Sequence, residues 1–196
     1  MNLIDIKELV AKGRSEAAIK ALMELTKETE LESGAISISR SYRTYKRNII
    51  SGILDSNEER KEEALITRRI LDLLNEYELF QIKGIKSSID QLQTEIETVN
   101  VDEVEEARTV QDTVEQLGDL SKQVEEIEFL DPGSNEKPKI LGKVGDFLNS
   151  LSDPDSKTGK VIRIVKDGVE IVQDIARTYN SVAEWVGLPQ VPRLFL

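Results

Sequence analysis

The sequence predicts an all-α protein, and three observations predict it. Charged residues make up 32% of the chain and aromatic residues only 5%, a helix-rich rather than sheet-rich balance. Apolar residues recur at intervals of three and four over most of the length, the period of a helix face. All five prolines fall after Leu130, so the first two thirds carry no proline to break a helix. At 196 residues, one or two small domains fit.

The first helix is expected from Leu3 to Lys12, with Ile6, Leu9 and Val10 on one side and a stop at Gly13. Ser15 is placed to cap the second, which turns Ala18, Leu22 and Leu25 inward. A short polar loop follows, Thr29 to Gly34. The next stretch, Ser37 to Tyr77, is the most informative in the chain. Ile38, Tyr42, Tyr45, Ile49 and Ile53 recur at four, three, four and four, which puts them on one helix face. Gly52 is placed to relieve the last turn. Ser56 with Glu59 then matches a capping box, in which the two side chains satisfy orphan N–H groups at a helix start. Ile66, Ile70, Leu73, Tyr77 and Phe80 form the stripe of this fourth helix, and Leu71 and Leu74 widen it. The corner between helices three and four is short, so the two should pack antiparallel. Four helices in about 80 residues suffice for one small core.

The middle segment, residues 84–130, contains a coiled-coil-like seam: Ile85, Ile89, Leu92, Ile96 and Val99. The seam fails at Glu103 and Glu106. A new register runs through Val110, Val114, Leu117, Leu120, Val124 and Ile127, with Asp102 and Glu105 as a fresh cap. Two arrangements fit: one long helix kinked near Asn100, or a hairpin, in which each apolar strip covers the other. Residues 131–139, beginning DPGSNEKP, form a linker by their turn residues. Residues 140–196 form a C-terminal hydrophobic module. In it a short helix, Ile140 to Leu151, is followed by a break from Ser152 to Gly159. A long apolar helix then runs from Lys160 to Val186 and ends at Gly187 and Pro189. Its apolar face runs from Val161 and Ile162 through Val165, Val169, Val172, Ile175, Ala176, Tyr179, Val182 and Ala183 to Val186. Trp185 and Phe195 are expected to be shielded.

From about Leu3 to Tyr77 the chain resembles effector-associated domain 11, a bacterial death-like adaptor family of conflict and antiphage systems. The pieces that carry this are IKELVAKGRSEAAIKAL, SRSYRTYKRNIISGILDSNEE and RRILDLLNEY. The middle piece is the most specific: a basic, aromatic helix, a glycine turn, then an acidic capped helix. The first also suits half a TPR repeat, but no second copy follows at a 34-residue period. The resemblance covers residues 1–83 at most. It implies a four-helix death-like bundle and an adaptor that binds a partner with a matching domain, or itself, and it implies no catalysis.

Charge is unevenly spread. Residues 1–83 hold 14 basic and 15 acidic residues, 84–130 hold 3 and 13, and 131–196 hold 9 and 9. An acidic chain of this kind is a poor nucleic-acid binder, because phosphate contacts drive that affinity. Arg40, Arg43 and Arg47 fall at helical steps as a basic patch on helix three. Glu58, Glu59, Glu62 and Glu63 crowd the start of helix four. The two patches suit opposite sides of a head-to-tail contact between like domains. Lys157, Lys160, Arg163 and Lys166 form a basic stripe at a helix start, where the macrodipole favours acids instead. Docking on the acidic middle segment and peripheral contact with an anionic membrane are its two functional readings; an ordinary solvated face is the third.

Catalytic signatures are missing. With no histidine and no cysteine, there is no thiolate site, no disulfide and no Glu-x-x-His ligand pair. The adjacent acidic pairs diverge around a helix. Gly142 and Gly145 follow no strand, so they make no phosphate loop. The tyrosines of RSYRTYKR sit at core spacing rather than as stacking platforms. No enzyme, no cofactor and no metal is expected. The N-terminus lacks a signal peptide's apolar core, and no run of eighteen apolar residues occurs, so a cytoplasmic location is expected. Two other function classes fit the sequence: a membrane-disrupting effector acting through the last helix, and a structural oligomerising coiled coil.

Overall fold

The computed structural model describes residues 3–99, 101, 104–131, 134–153, 156–165 and 167–192. Asn100, Asp102, Glu103, Lys166 and Phe195, which entered the sequence reading, lie outside the described residues. Among those described there are eight α-helices, one 3-10 turn and no strand. They divide into two compact units, Met1–Leu79 and Phe80–Leu196.

The first unit contains α1 (Leu3–Ala11), α2 (Ser15–Leu25), α3 (Glu32–Ile50) and the beginning of α4 (Ser56–Glu97). Its core joins Leu3 and Ile6 to Ala18 and Leu22, Ala35, Ile38 and Tyr45, and Ile66, Ile70, Leu73, Leu74 and Tyr77. Gly34 lies inside α3, where a Cβ would come within 3.1 Å of Leu73 Cδ1, so the helix closes on α4 at a residue without a side chain. The expected loop therefore ends earlier, at Leu31.

Both interhelical glycines end their helices in the left-handed region, Gly13 at φ 68° and Gly52 at φ 65°. At Gly13 the Arg14 N–H reaches Leu9 O and the Gly13 N–H reaches Val10 O, a Schellman motif. That turn is so tight that Ser15 becomes the first residue of α2 rather than its cap. Arg14 holds the cap position, with no side-chain bond, and its carbonyl accepts from Ala18 N.

Gly52 repeats the motif through Gly52 N–H to Ile49 O and Ile53 N–H to Asn48 O. The residue after such a glycine usually packs on the one that accepts its N–H. Here that residue is Asn48, which is polar, so Ile53 is left 66% exposed instead of facing the core. The capping box also lies one residue before its expected place. Asp55 Oδ1 accepts from the Asn57 and Glu58 N–H groups, and Glu58 Oε2 accepts from Asp55 N–H at 2.9 Å. A carboxylate is a stronger acceptor than a hydroxyl, and it displaces Ser56–Glu59 from the role. Leu71 turns outward, while Leu74 is fully buried.

The second unit contains the rest of α4, α5 (Val104–Glu126), the 3-10 turn Ile127–Phe129, α6 (Glu136–Ser152), α7 (Lys157–Ile164) and α8 (Gly168–Val186). The hairpin is the arrangement found. Ile85, Ile89, Leu92 and Ile96 share one core with Leu117, Leu120, Val124 and Ile127. Lys83 meets Glu128, Lys86 meets Glu125, Asp90 meets Ser121 and Gly118 faces Gln93. One partner advances as the other steps back, the mark of an antiparallel register. That core continues into α6, α7 and α8 through Leu141, Val144, Leu148, Val161, Val172, Ile175 and Tyr179. The acidic segment and the C-terminal module, separate by composition, therefore belong to a single body.

α6 begins at Glu136 and so takes up much of the expected linker. Its Pro138 sits in the first turn, where a missing N–H leaves no intrahelical bond unmade. The long last helix is two. Asp167 adopts φ 59°, and a Cβ on Gly168 would lie 2.6 Å from Ile162 O and 2.9 Å from Val165 Cβ. The chain folds back too closely there for a helix to continue. Ile164 and Val169, on either side of the break, are consequently exposed.

Candidate protein-interaction site

α2 and α3 leave a groove of about 540 Å³ between them within the first unit. Ile19, Met23, Tyr42 and Ile50 supply its apolar surface. Lys20, Arg43, Lys46 and Arg47 supply its charge, with Glu16 at one side. Glu16 holds Lys20 at 3.4 Å. Among the described residues, the side chains of Arg43, Lys46 and Arg47 form no ion pair. Ile50, 84% exposed, lies where the groove meets the end of α3.

The other flank of α3 faces α4. Ser41 Oγ accepts from Arg69 Nη1 at 3.2 Å, and Tyr45 is buried. Tyr42 and Tyr45 adjoin each other, ring centroids 6.1 Å apart. Burial raises the pKa of both hydroxyls. The nearby carboxylates of Glu63, Glu59 and Glu62 add to the effect at Tyr45, and those of Glu16 and Glu63 at Tyr42. Glu59, Glu62 and Glu63, on α4, thus stand near Tyr45, while Glu16 lines the groove itself. Glu59, Glu62 and Glu63 make no ion pair among the described residues, whereas Glu58 is occupied as the Asp55 partner.

The structure brings Arg43 and Arg47 together in the groove and leaves Arg40 exposed outside it. A step of seven from Arg40 to Arg47 keeps one face, but the groove is centred nearer Lys46 and Ile50. Those two, with Lys20 and Met23, are among the lining residues that the arginine spacing did not identify. A wheel centred on Arg43 rather than on the three arginines would have included Lys46 and Ile50. Lys20 and Met23 come from α2, and no local pattern on α3 announces them.

In the second unit the basic stripe approaches the acidic segment. Lys157 Nζ lies 3.6 Å from Glu105 Oε1, and Lys157 and Lys160 line a cleft of about 320 Å³ with Glu105, Glu106, Val110 and Ile164. Arg163 points away. Steps of three fall 60° short of a full turn, so a stripe at that interval winds off any fixed face. Ser156 caps α7, its Oγ accepting from Gly159 N at 2.9 Å. At the far end, Tyr179 is buried in the core and donates to Pro189 O at 3.3 Å. The Asn180 side chain accepts from Val191 N and donates to Val191 O, which lays the segment after α8 back onto it. Trp185 is half-buried against the same core.

No group of three or more potential ligands for a metal occurs among the described residues. No helix searched is long and apolar enough to cross a membrane. The model of effector-associated domain 11 matches residues 1–78, which is the first unit to within one residue of its boundary. No curated protein and no solved structure matches the chain. An effector-associated domain points to protein–protein interaction in a bacterial effector or signalling system.

Proposed function

We propose that this chain, with an effector-associated domain as its first unit, is a non-catalytic adaptor in bacterial conflict signalling, antiphage defence included. The domain recruits or receives a partner that carries a matching domain. The adaptor needs no cofactor, and it works in the cytoplasm. One observation carries the reading: the first unit holds two complementary sets of unpaired charge on opposite flanks of one helix. Arg43, Lys46 and Arg47 stand over the apolar groove on the α2 side. Glu59, Glu62 and Glu63 stand on the α4 side. Rim charges of this kind set orientation and association rate, and apolar contact supplies affinity.

The second unit supports the reading differently. The apolar faces of α4, α5 and α8 are already buried in one core. It can therefore serve as the folded body that the domain brings to its partner. The test is binding of the full chain to a partner carrying a matching domain, as salt is varied. Reversing Arg43 and Arg47 to Glu should weaken binding and flatten its salt dependence while the fold is kept. Unchanged affinity in low salt would remove this surface from the interface.

A further inference from the structure

We propose that the α2–α3 groove binds a nucleoside di- or triphosphate. This shares residues with the adaptor reading but does not rest on it. Lys46 and Arg47 follow Arg43 by three and four positions, so their charged ends gather on one face of α3. All three are exposed, and none forms an ion pair among the described residues. Lys20 lines the groove from α2, but Glu16 already balances its charge. Two arginines one turn apart present paired N–H donors to phosphate oxygens, and Lys46 adds a point charge. The sequence spacing put Tyr42 in the core beside Tyr45. Tyr45 is buried there, but Tyr42 is half-buried and lines the groove with Ile19 and Met23.

Unpaired cations beside an apolar floor narrow the choice of ligand. Inorganic phosphate would answer the cations and leave the floor uncovered. A fatty acid would cover the floor, but its head brings a single charge to three cations. A nucleoside polyphosphate brings several charges at one end and a flat ring at the other. That ring suits Tyr42 and Met23, because aromatic rings stack offset and thioether sulfur favours aromatic neighbours. The groove, about 540 Å³, also has the size of a small-ligand site, roughly 300–1,000 Å³. A nucleic acid fits less well, since a long row of phosphates would meet a chain of net charge −11. A nucleotide seated here covers Arg43 and Arg47, and so competes with a protein partner for them.

The experiment is isothermal titration calorimetry on the full chain with ATP, ADP, AMP, adenosine and inorganic triphosphate. ATP should bind saturably, and affinity should fall through ADP to AMP as phosphate charge is lost. Adenosine and inorganic triphosphate should each bind at least roughly tenfold more weakly than ATP, since each lacks half of the contact. Arg43→Gln should weaken ATP binding by roughly tenfold or more, the scale of a charge-assisted hydrogen bond lost. Arg40→Gln removes the same charge from the same helix outside the groove, and should leave ATP binding unchanged. Both arginines are exposed, so the circular dichroism of both variants should match the wild type. No saturable binding of ATP overturns the proposal. So does inorganic triphosphate that binds as tightly as ATP, because the apolar floor then takes no part. Equal losses in Arg40→Gln and Arg43→Gln overturn it too, as diffuse attraction to a basic helix. If ATP fails to bind while Arg43→Glu/Arg47→Glu still weakens binding to a protein with a matching domain, the nucleotide site falls and the adaptor surface stands. If ATP binds as expected and leaves that protein's binding unchanged, the nucleotide site stands and the groove is removed from the partner interface.

Discussion

In the first unit, the ion pairs Glu8–Lys12, Glu16–Lys20 and Arg68–Asp72 each join positions four apart on one helix. In the second, three pairs tie different parts of the fold together: Lys83–Glu128, Lys86–Glu125 and Lys157–Glu105. The second unit contains the acidic segment, yet three of its nine lysines are engaged in joins within its own fold. The first is nearly neutral, yet it keeps arginines and glutamates apart on two flanks of α3. Net charge therefore does not tell which region faces a partner. What distinguishes them is whether complementary charges have already met. The apolar surface separates them less: the second unit merges its stripes into one core but leaves Phe129 and Ile164 exposed, while the first leaves Ile50 exposed at its groove and Ile53 exposed in the corner before α4.

The comparison breaks most severely at Leu73. This side chain is 6% exposed and sits on Gly34. Leu73→Asp buries a carboxylate with no cation to meet it. The expected cost is at least about 5 kcal/mol, the order of a small domain's whole stability. Hydrogen exchange should show α1, α2 and α3 losing protection. If the units are as separate as their cores, α5 to α8 should keep theirs. An unchanged melt would overturn the core assignment, and collapse of both sets of helices would overturn the separation.

The second unit is most exposed to overpacking at Gly145. A Cβ there would run into the Tyr179 phenol, whose hydroxyl oxygen is its nearest neighbour. Gly145→Ala should cost about 1–3 kcal/mol. In a Tyr179→Phe background the cost should shrink, because the oxygen that it strikes is gone. Equal costs in the two backgrounds, measured by urea unfolding, would show that the strain lies elsewhere.

These positions also show what the sequence made legible. Helix faces were readable wherever one apolar period decided burial: Ile6, Leu22, Ile38, Ile70 and Leu73, and the seam from Ile85 to Ile96, all face a core. Capping was readable in kind and not in register, because Asp55 and Ser56 both suit a helix start and only the backbone decides between them. The break before Gly168 was hidden. Apolar residues continue through it, and its cause is a close approach to Ile162 O, a tertiary fact. The groove was half legible. Arg43 and Arg47 stand in the sequence at helical spacing, but the wall opposite them comes from α2. Ile53 was misplaced for a related reason: the period assigned it a face, and the glycine turn removed it from the helix that has that face.

A smaller effect is expected at the latch behind α8. Asn180 holds Val191 through two bonds to its backbone, and Val191 is 3% exposed. Asn180→Ala should cost about 1–2 kcal/mol, as for a half-buried hydrogen-bonding group lost from one side. The Val191 amide should then exchange faster than those of Val182 and Ala183. Unaltered protection at Val191 would mean that the segment is held by its apolar contact alone.

The smallest effect separates internal pairing from mere proximity of charge. Asp90 lies between Lys86, 2.9 Å away, and the Ser121 hydroxyl across the hairpin, with Glu125 also near Lys86. Burial acts to raise its pKa, but the hydrogen bonds from Ser121 and Lys86, with the lysine's charge, hold it below the ordinary carboxylate value. A depressed carboxylate stabilises the fold fully above its unfolded pKa of about 3.9 and loses that contribution as pH falls through the lower folded value. The Lys86 pKa is raised, chiefly by the hydrogen bond to Asp90, so the same pair weakens again only at strongly alkaline pH. Between those limits it contributes, and since Asp90 is 46% exposed the amount should stay below about 1 kcal/mol. Asp90→Asn retains size and a hydrogen-bonding oxygen but cannot titrate. Its stability should therefore change less than the wild type's from about pH 4 downward, with the two curves converging in acid. Parallel curves would show that Asp90 is only near its partners. The hairpin register would then depend on the apolar seam from Ile85 to Ile127 without help from charge.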